Sequence, residues 1–226
     1  MSSANKPLLL DLYSGAGIGA AGYIDAGFHV MGIDSKDQPN YPSEFGRWDA
    51  LDILNSDFPN GYDVIHASPP CQYFTQAKHL RAAQGGKSSS LDLLTPTLEL
   101  LRDKWSHKIW VVENVPGARA LMPGAAIECG SAYGLGVRRH RLFLSNVPLE
   151  GSGCDHKGQG RPWGVYHVMG DSIPKGGRTA RTLEHGKEVM GVTQECTWSE
   201  LKEGLPPAFT QHIGEQLWPH VAGGAR

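Results

Sequence analysis

The sequence predicts an α/β domain built on a mostly parallel sheet with helices on both faces. Three observations carry this. Short runs rich in leucine, valine and isoleucine recur along the chain, as in strands buried on both sides. Helical stretches alternate with the early runs, and a glycine-rich turn follows the first of them.

PLLLDLY (7–13) is the first strand, and IGAAGYIDAG (18–27) the first helix. FHVMGID (28–34) is the next strand, ending on Asp34, and WDALDI (48–53) follows a presumed third. YDVIHAS (62–68) leads into SPPCQYF, where two prolines precede Cys71. TPTLELLRDKWSH (95–107) reads as a helix with Thr95 as N-cap and Pro96 at its first helical position. KIWVVENV (108–115) and RLFLS (141–145) are the last clear strands. Near the end, Thr197 and Glu200 have capping-box spacing, and AFTQHIGEQLWPHV continues as helix after Pro206 and Pro207. Two stretches break the rhythm. Residues 76–92 are polar, rich in glycine and serine, and read as a mobile loop after Cys71. Residues 147–189 are glycine-rich without a clear period and read as a small insert into a body formed by 1–146 and 190–226.

A chain of 226 residues with 40% hydrophobic residues can bury a full core. Its four cysteines form no C-x-x-C pair, so a reduced, intracellular protein is the simplest reading. The N-terminal apolar run is too short for a signal peptide or a spanning helix, so a soluble, cytoplasmic protein without a membrane partner is expected. Cys154 and His156 are two metal-type ligands without partners in the sequence, and no metal site is expected. The net charge of −2 hides an asymmetry. Residues 1–60 carry three cations against eight carboxylates, and residues 138–187 nine cations against four. A basic segment on a neutral body points to an anionic partner such as nucleic acid.

DLYSGAGIGAAG places Gly15 and Gly17 at a strand-to-helix turn, where positive φ and close ligand approach are both possible. Asp34 follows Gly15 by 19 residues, the place of a ribose-binding carboxylate in α/β cofactor folds. The glycine spacing also fits a dinucleotide site. Asp11 favours a cationic ligand, because a carboxylate there would repel a pyrophosphate. Asp49 is the candidate for an adenine amine, with Asp52 its competitor.

Cys71 follows a strand at the carboxyl edge of the predicted sheet, where such sheets bind ligands, and Pro69 and Pro70 stiffen its approach. Glu113 and Asn114 end another strand at that edge, and a carboxylate behind Val111 and Val112 is costly to bury without a partner. Arg139 and Arg141 alternate in RRHRLF and so point to one face of an incipient strand.

In order and spacing, DLYSGAGIGAAG, SPPCQ, ENV and RRHRLF resemble the DNA (cytosine-5) methyltransferase family, and the tail MGV…TWSELKEGLPPAFTQHIGEQL resembles small phage-encoded members. The resemblance implies a Rossmann-like class I methyltransferase fold, S-adenosylmethionine as cofactor and a flipped cytosine in double-stranded DNA as substrate; a monomer is expected. It makes Cys71 the nucleophile that adds to cytosine carbon 6 while a methyl group goes to carbon 5. Glu113 would hold the exocyclic amine and ring nitrogen 3, Arg141 oxygen 2, and Arg139 would help order the cysteine loop or a phosphate; cations nearby would lower the thiol's pKa. Asp11, Gly15 and Gly17 would line the methionine end of the cofactor, Asp34 the ribose, Asp49 the adenine amine, and Tyr13 would stack on the adenine. Pro70, Gln72 and Asn114 would meet the target base. Arg161, Arg178 and Arg181, with Lys175, would meet DNA from the 147–189 region, and Lys78, His79, Arg81 and Lys87 from the loop. Two departures stand out: Val137-Arg138-Arg139-His140-Arg141 lacks the family's glutamine, and Glu203 stands near its usual asparagine. RNA (tRNA) cytosine-5 methylation, a non-catalytic DNA-binding relative and a nicotinamide oxidoreductase are the alternatives.

Overall fold

The computed structural model describes residues 6–74, 91–159, 166–167 and 178–222. A seven-stranded sheet is its centre. In chain order the strands are β1 (Leu8–Leu12), β2 (His29–Asp34), β3 (Glu44–Arg47), β4 (Val64–Ala67), β5 (Ile109–Asn114), β6 (Ala126–Glu128) and β7 (Arg141–Ser145). Across the sheet they run β3-β2-β1-β4-β5-β7-β6. The first five are parallel, and β7 is antiparallel to β5 and β6. This is the Rossmann-like sheet of class I methyltransferases.

Alternate side chains of these strands enter two different cores, as the pleat requires. Leu9, Val30, Val64, Val111 and Phe143 face one way, under α1 (Ile18–Asp25) and the C-terminal helix α6 (Pro207–Ala222), with Tyr23, Phe209, Ile213 and Leu217. Leu10, Leu12, Ile33, Ile65, Val112 and Leu142 face the other way, under α2 (Ala50–Asn55) and α3 (Leu94–Asp103), with Leu54, Leu98, Leu101 and Trp105. With both faces covered, the central strands are apolar apart from the mutually paired Asp11 and His66 and the polar residues near their carboxyl ends. The polar ends therefore mark the site.

Two further helices, α4 (Leu183–Met190) and α5 (Trp198–Glu203), pack Val189, Met190 and Leu201 against Ile18 and Val137. Thr197 and Glu200 make the capping box at the start of α5. The start of α3 differs from the sequence reading. The helix begins at Leu94, and Asp92 does the capping: its Oδ1 accepts from the Leu94 and Thr95 amides, and its Oδ2 from the Thr95 hydroxyl. A separate pair of two-residue strands, β8 (Tyr166–His167) and β9 (Arg178–Thr179), lies in the 147–189 region. The 76–92 loop falls outside the described residues but for its last two positions, as do Lys78, His79, Arg81, Lys87, Arg161 and Lys175. Among the described residues no helix is long and apolar enough to cross a membrane.

Candidate active site

Strand order reverses between β1 and β4, and the site straddles that switch point at the carboxyl edge of the sheet. The glycine loop leaves β1 on one side, and the cysteine loop leaves β4 on the other.

In the glycine loop three backbone donors are already engaged. The Ser14 amide donates to the Ile33 carbonyl (3.1 Å), Gly15 to Asp34 Oδ2 (3.0 Å) and Gly17 to the Ser14 carbonyl (3.1 Å). A pyrophosphate site needs N–H groups aimed at the ligand; these three are spent inside the protein. Gly15 has φ +51, and a Cβ built on it meets nothing within 4 Å, so this side of the loop is open to a ligand. Gly17, the left-handed N-cap of α1, instead sits against Tyr41 and Pro42, where a Cβ would come within 2.6 Å of both. Its glycine serves packing, in contrast to the cofactor contact predicted for it.

Asp11 is also placed differently from the sequence reading. It is buried, its Oδ1 is 2.9 Å from His66 Nδ1, and its Oδ2 accepts from the Tyr41 hydroxyl at 3.0 Å. Both oxygens are held beneath the loop rather than offered at its mouth. Repulsion from Asp11 at the loop mouth therefore does not choose the ligand.

Asp34 Oδ1 accepts from the Lys36 amide and Oδ2 from Gly15, which fixes the carboxylate and leaves each oxygen a lone pair. Asp49 is the N-cap of α2, and both its bonds, from the Leu51 and Asp52 amides, fall on Oδ1. Asp49 Oδ2 has no partner among the described residues. Tyr13, in the left-handed region at φ 58, donates to or accepts from Thr97 Oγ1 at 2.9 Å, and burial pushes its phenol up to about 12. Trp48, 61% exposed, stands between Asp49 and the β3 end, with its amide on the Asp34 carbonyl. A tryptophan exposed beside two carboxylates is a ligand-facing signal that was readable in WDALDI and was missed.

On the other side, Pro70 (φ −48, ψ 124) turns the chain into the short 3-10 helix Cys71–Tyr73. The loop is clamped from β5: Asn114 Nδ2 donates to the Pro69 carbonyl at 3.0 Å. Asn114 is 1% exposed, and its Oδ1 accepts from Val115, so it holds the loop instead of meeting a base. Gln72 is exposed beside Cys71.

The antiparallel course of β7 explains how Arg141 reaches Glu113. Leu142 pairs with Asn114 and Phe143 with Glu113, so the first residue of β7 lies at the last residues of β5. Arg141 Nε is 3.0 Å from Glu113 Oε1, both side chains being largely buried. The contact is an ion pair rather than an aligned hydrogen bond, and Glu113 Oε1 is left without a hydrogen-bond partner among the described groups. A buried carboxylate oxygen in that state is a poised acceptor. Arg139 does not extend the strand alternation. It has φ 33, precedes β7, and donates from Nη2 to the Lys202 carbonyl at 2.6 Å. It ties the arginine segment to the end of α5, next to the exposed Glu203.

Arg141, Glu113 and Arg139 all act on the Cys71 thiol. Burial raises its pKa, Arg141 lowers it and Glu113 raises it, and the balance is upward. Where the sequence predicts that cations lower this pKa, desolvation outweighs them. The thiol is then protonated at neutral pH, and thiolate accumulates only as pH rises through the raised value. We expect alkylation of Cys71 by iodoacetamide, followed by peptide mass spectrometry, to climb with pH with a midpoint above that of a free thiol. A midpoint below it would contradict this electrostatic balance.

Of the DNA-facing candidates, Arg181 is exposed and Arg178 lies on β9 opposite Tyr166. The pair Cys154 and His156 is not isolated, in contrast to the sequence reading: the fold brings Cys129 and His140 to it from other segments.

The family model for C-5 cytosine-specific DNA methylases matches residues 8–126. The chain is 26% identical over 165 residues to the type II methyltransferase M.NgoPII of Neisseria gonorrhoeae, covering 62% of this chain and 47% of that protein. It is 35% identical over 98 residues to the "Probable DNA (cytosine-5)-methyltransferase" of Frog virus 3, covering 42% and 44%. The chain thus spans about half the length of these curated relatives. Among solved structures, the Entamoeba histolytica methyltransferase EhMeth shares the fold with a TM-score of 0.63 at 12% identity, covering 96% of this chain and 99% of that one.

Proposed function

The chain belongs to the C-5 cytosine-specific DNA methylase family, and from that premise we propose that it methylates carbon 5 of cytosine in double-stranded DNA, using S-adenosylmethionine. The observation that carries the reading is the meeting of Cys71, Glu113 and Arg141 at one sheet edge, with a buried Glu113 oxygen lacking a hydrogen bond.

The residues fit the cofactor. Gly15 leaves open space at the loop, Asp34 can accept from ribose hydroxyls, and Asp49 Oδ2 can accept from the adenine amine. Trp48 and Tyr13 offer aromatic faces nearby. When bound, S-adenosylmethionine supplies a methyl group on a sulfonium, an electrophile that cytosine carbon 5 is too weak to attack unaided.

Cys71 removes that weakness. Its thiolate forms a bond to carbon 6, and the ring's electron pair moves toward carbon 5, splitting one hard step into two easier ones. Glu113 accepts from the exocyclic amine and shares a proton with ring nitrogen 3 as charge moves into the ring. Arg141, which lies beside Glu113, would bind oxygen 2. Asn114 keeps the cysteine loop in place through Pro69. Once carbon 5 carries the methyl group, a base takes its proton, the carbon 6–sulfur bond breaks, and Cys71 leaves as thiolate.

Carbon 6 of a stacked base is out of reach, so the target nucleotide must be extruded, as such enzymes require. The basic 147–189 region, with Arg161, Arg178 and Arg181, would serve as the target-recognition element, mainly through phosphates. The 76–92 loop would close over the extruded base. We place the reaction in the cytoplasm, with the protein as a monomer.

The test compares methyl transfer to duplex DNA and to tRNA from methyl-labelled S-adenosylmethionine, followed by base-resolution sequencing. The expected result is 5-methylcytosine in DNA. Label only in tRNA would select the RNA reading, and DNA binding without transfer would select the non-catalytic one.

A further inference from the structure

A second cluster of reactive side chains lies next to the arginine segment, and no step above uses it. Cys129 follows β6 directly, and His140 stands immediately before β7, between Arg139 and Arg141. Cys154 and His156 come from the stretch after β7, the first part of the 147–189 region. They flank Asp155, which begins a tight turn: its Oδ1 accepts from the Gly158 amide at 2.8 Å, and its carbonyl accepts from Gln159 at 3.3 Å.

One ligand atom from each of the four residues lies within 4.8 Å of all the others. Cys129 Sγ is 3.4 Å from His156 Nε2, and Cys154 Sγ is 3.3 Å from His140 Nε2. These separations match the edges of a coordination tetrahedron. With zinc–sulfur bonds of about 2.3 Å and zinc–nitrogen bonds of about 2.0–2.1 Å, a tetrahedral angle sets neighbouring sulfur and nitrogen about 3.5 Å apart. The two imidazole rings cross at 77° with centroids 5.1 Å apart, so they do not stack, and both can face a common centre.

The surroundings suit bound thiolate. The Asp155 amide donates to Ser131 Oγ at 2.9 Å, which frees the Ser131 hydroxyl proton to donate to Cys129 Sγ at 3.1 Å. A donor aimed at a ligand sulfur is the outer-shell support that metal sites use. Without a metal the Cys129 thiol has the Arg138 carbonyl, 3.2 Å away, as its acceptor. Cys129 is buried while Cys154 is exposed, so an ion has an entry path from the Cys154 side.

We propose that Cys129, His140, Cys154 and His156 bind one zinc ion as a structural site. Two thiolates and two imidazoles in tetrahedral array are a zinc-type ligand set, and four protein ligands leave no open position for catalysis. The ion fastens the beginning of the 147–189 region to the catalytic sheet. It also fixes His140, and through it the two arginines that flank it. This last consequence rests on the function proposed above; zinc binding itself does not.

The test uses the full chain, purified without chelator, with zinc measured by elemental mass spectrometry. The expected result is about one zinc per chain, as for a folded structural site, and visible d–d and thiolate charge-transfer absorption when cobalt(II) replaces zinc. Cys154→Ser and the Cys154→Ser/His156→Ala double variant should lose both signals. S-adenosylhomocysteine binding, measured calorimetrically, shows that these exposed-end variants remain folded. Wild-type protein that takes up no zinc on reconstitution overturns the proposal, as does a double variant that keeps its full zinc, or a Cys129–Cys154 disulfide in place of metal. Zinc bound by a protein that methylates no cytosine would leave this site standing and remove the functional reading instead.

Discussion

Cys71→Ser should abolish methyl transfer, lowering turnover by about three orders of magnitude or more, while S-adenosylmethionine binding and the unfolding midpoint stay near wild type. The size of the effect follows from the chemistry. An alcohol in place of the thiol is far less acidic and cannot supply the anion that must add to carbon 6. The fold should be indifferent, because Cys71 is only half-buried on a short 3-10 turn, and the loop's position depends on the Asn114–Pro69 hydrogen bond instead. Single-turnover methylation with labelled cofactor, beside calorimetric cofactor binding, checks both halves. Turnover close to wild type in the serine variant would remove the nucleophile.

Glu113→Gln should lower turnover by about 10²–10⁴-fold, the usual contribution of a positioned proton-sharing group. It has a second, opposite consequence. Glu113 raises the Cys71 pKa, and Arg141 lowers it. Removing the carboxylate's charge leaves Arg141 uncompensated, so the thiol becomes more acidic and its alkylation at neutral pH faster. A slower enzyme with a more reactive cysteine is hard to obtain by general misfolding. Slow turnover together with unchanged or slower alkylation would mean that Glu113 acts through the loop's structure and not through charge.

Much of this arrangement could be read from the chain before folding. Long apolar runs such as PLLLDLY and KIWVVENV reveal buried strands because few polar groups can occupy them, and the polar residues near their carboxyl ends then mark the edge where ligands bind. The convergence of Cys71, Glu113 and Arg141 on one sheet edge was legible for that reason. Three-residue β6 was not, since so short a stretch has no detectable period. Asp11 was misjudged because its partner His66 is 55 residues away and pairs with it only once β1 and β4 lie side by side. Asn114 was misjudged likewise: its role depends on a carbonyl 45 residues distant. Arg139 broke the alternation because its backbone is left-handed there, a property no side-chain pattern announces. The zinc-type ligands come from positions 129, 140, 154 and 156, a spacing that matches no compact motif, and only the turn from β6 into β7 and the chain after it gathers them.

The central claim is that the Cys71 sulfur bonds temporarily to the cytosine ring, and one measurement addresses it directly. Duplex DNA carrying 5-fluorocytosine at the methylated position is incubated with the protein and S-adenosylmethionine. Fluorine cannot leave carbon 5 as a cation, so the elimination that frees the enzyme is blocked. The account predicts a denaturation-resistant complex, with the nucleotide mapped to the peptide containing Cys71 and no complex formed by Cys71→Ser. Efficient methylation of ordinary DNA with no such complex on the fluorinated duplex, or a complex mapped to another residue, would contradict it.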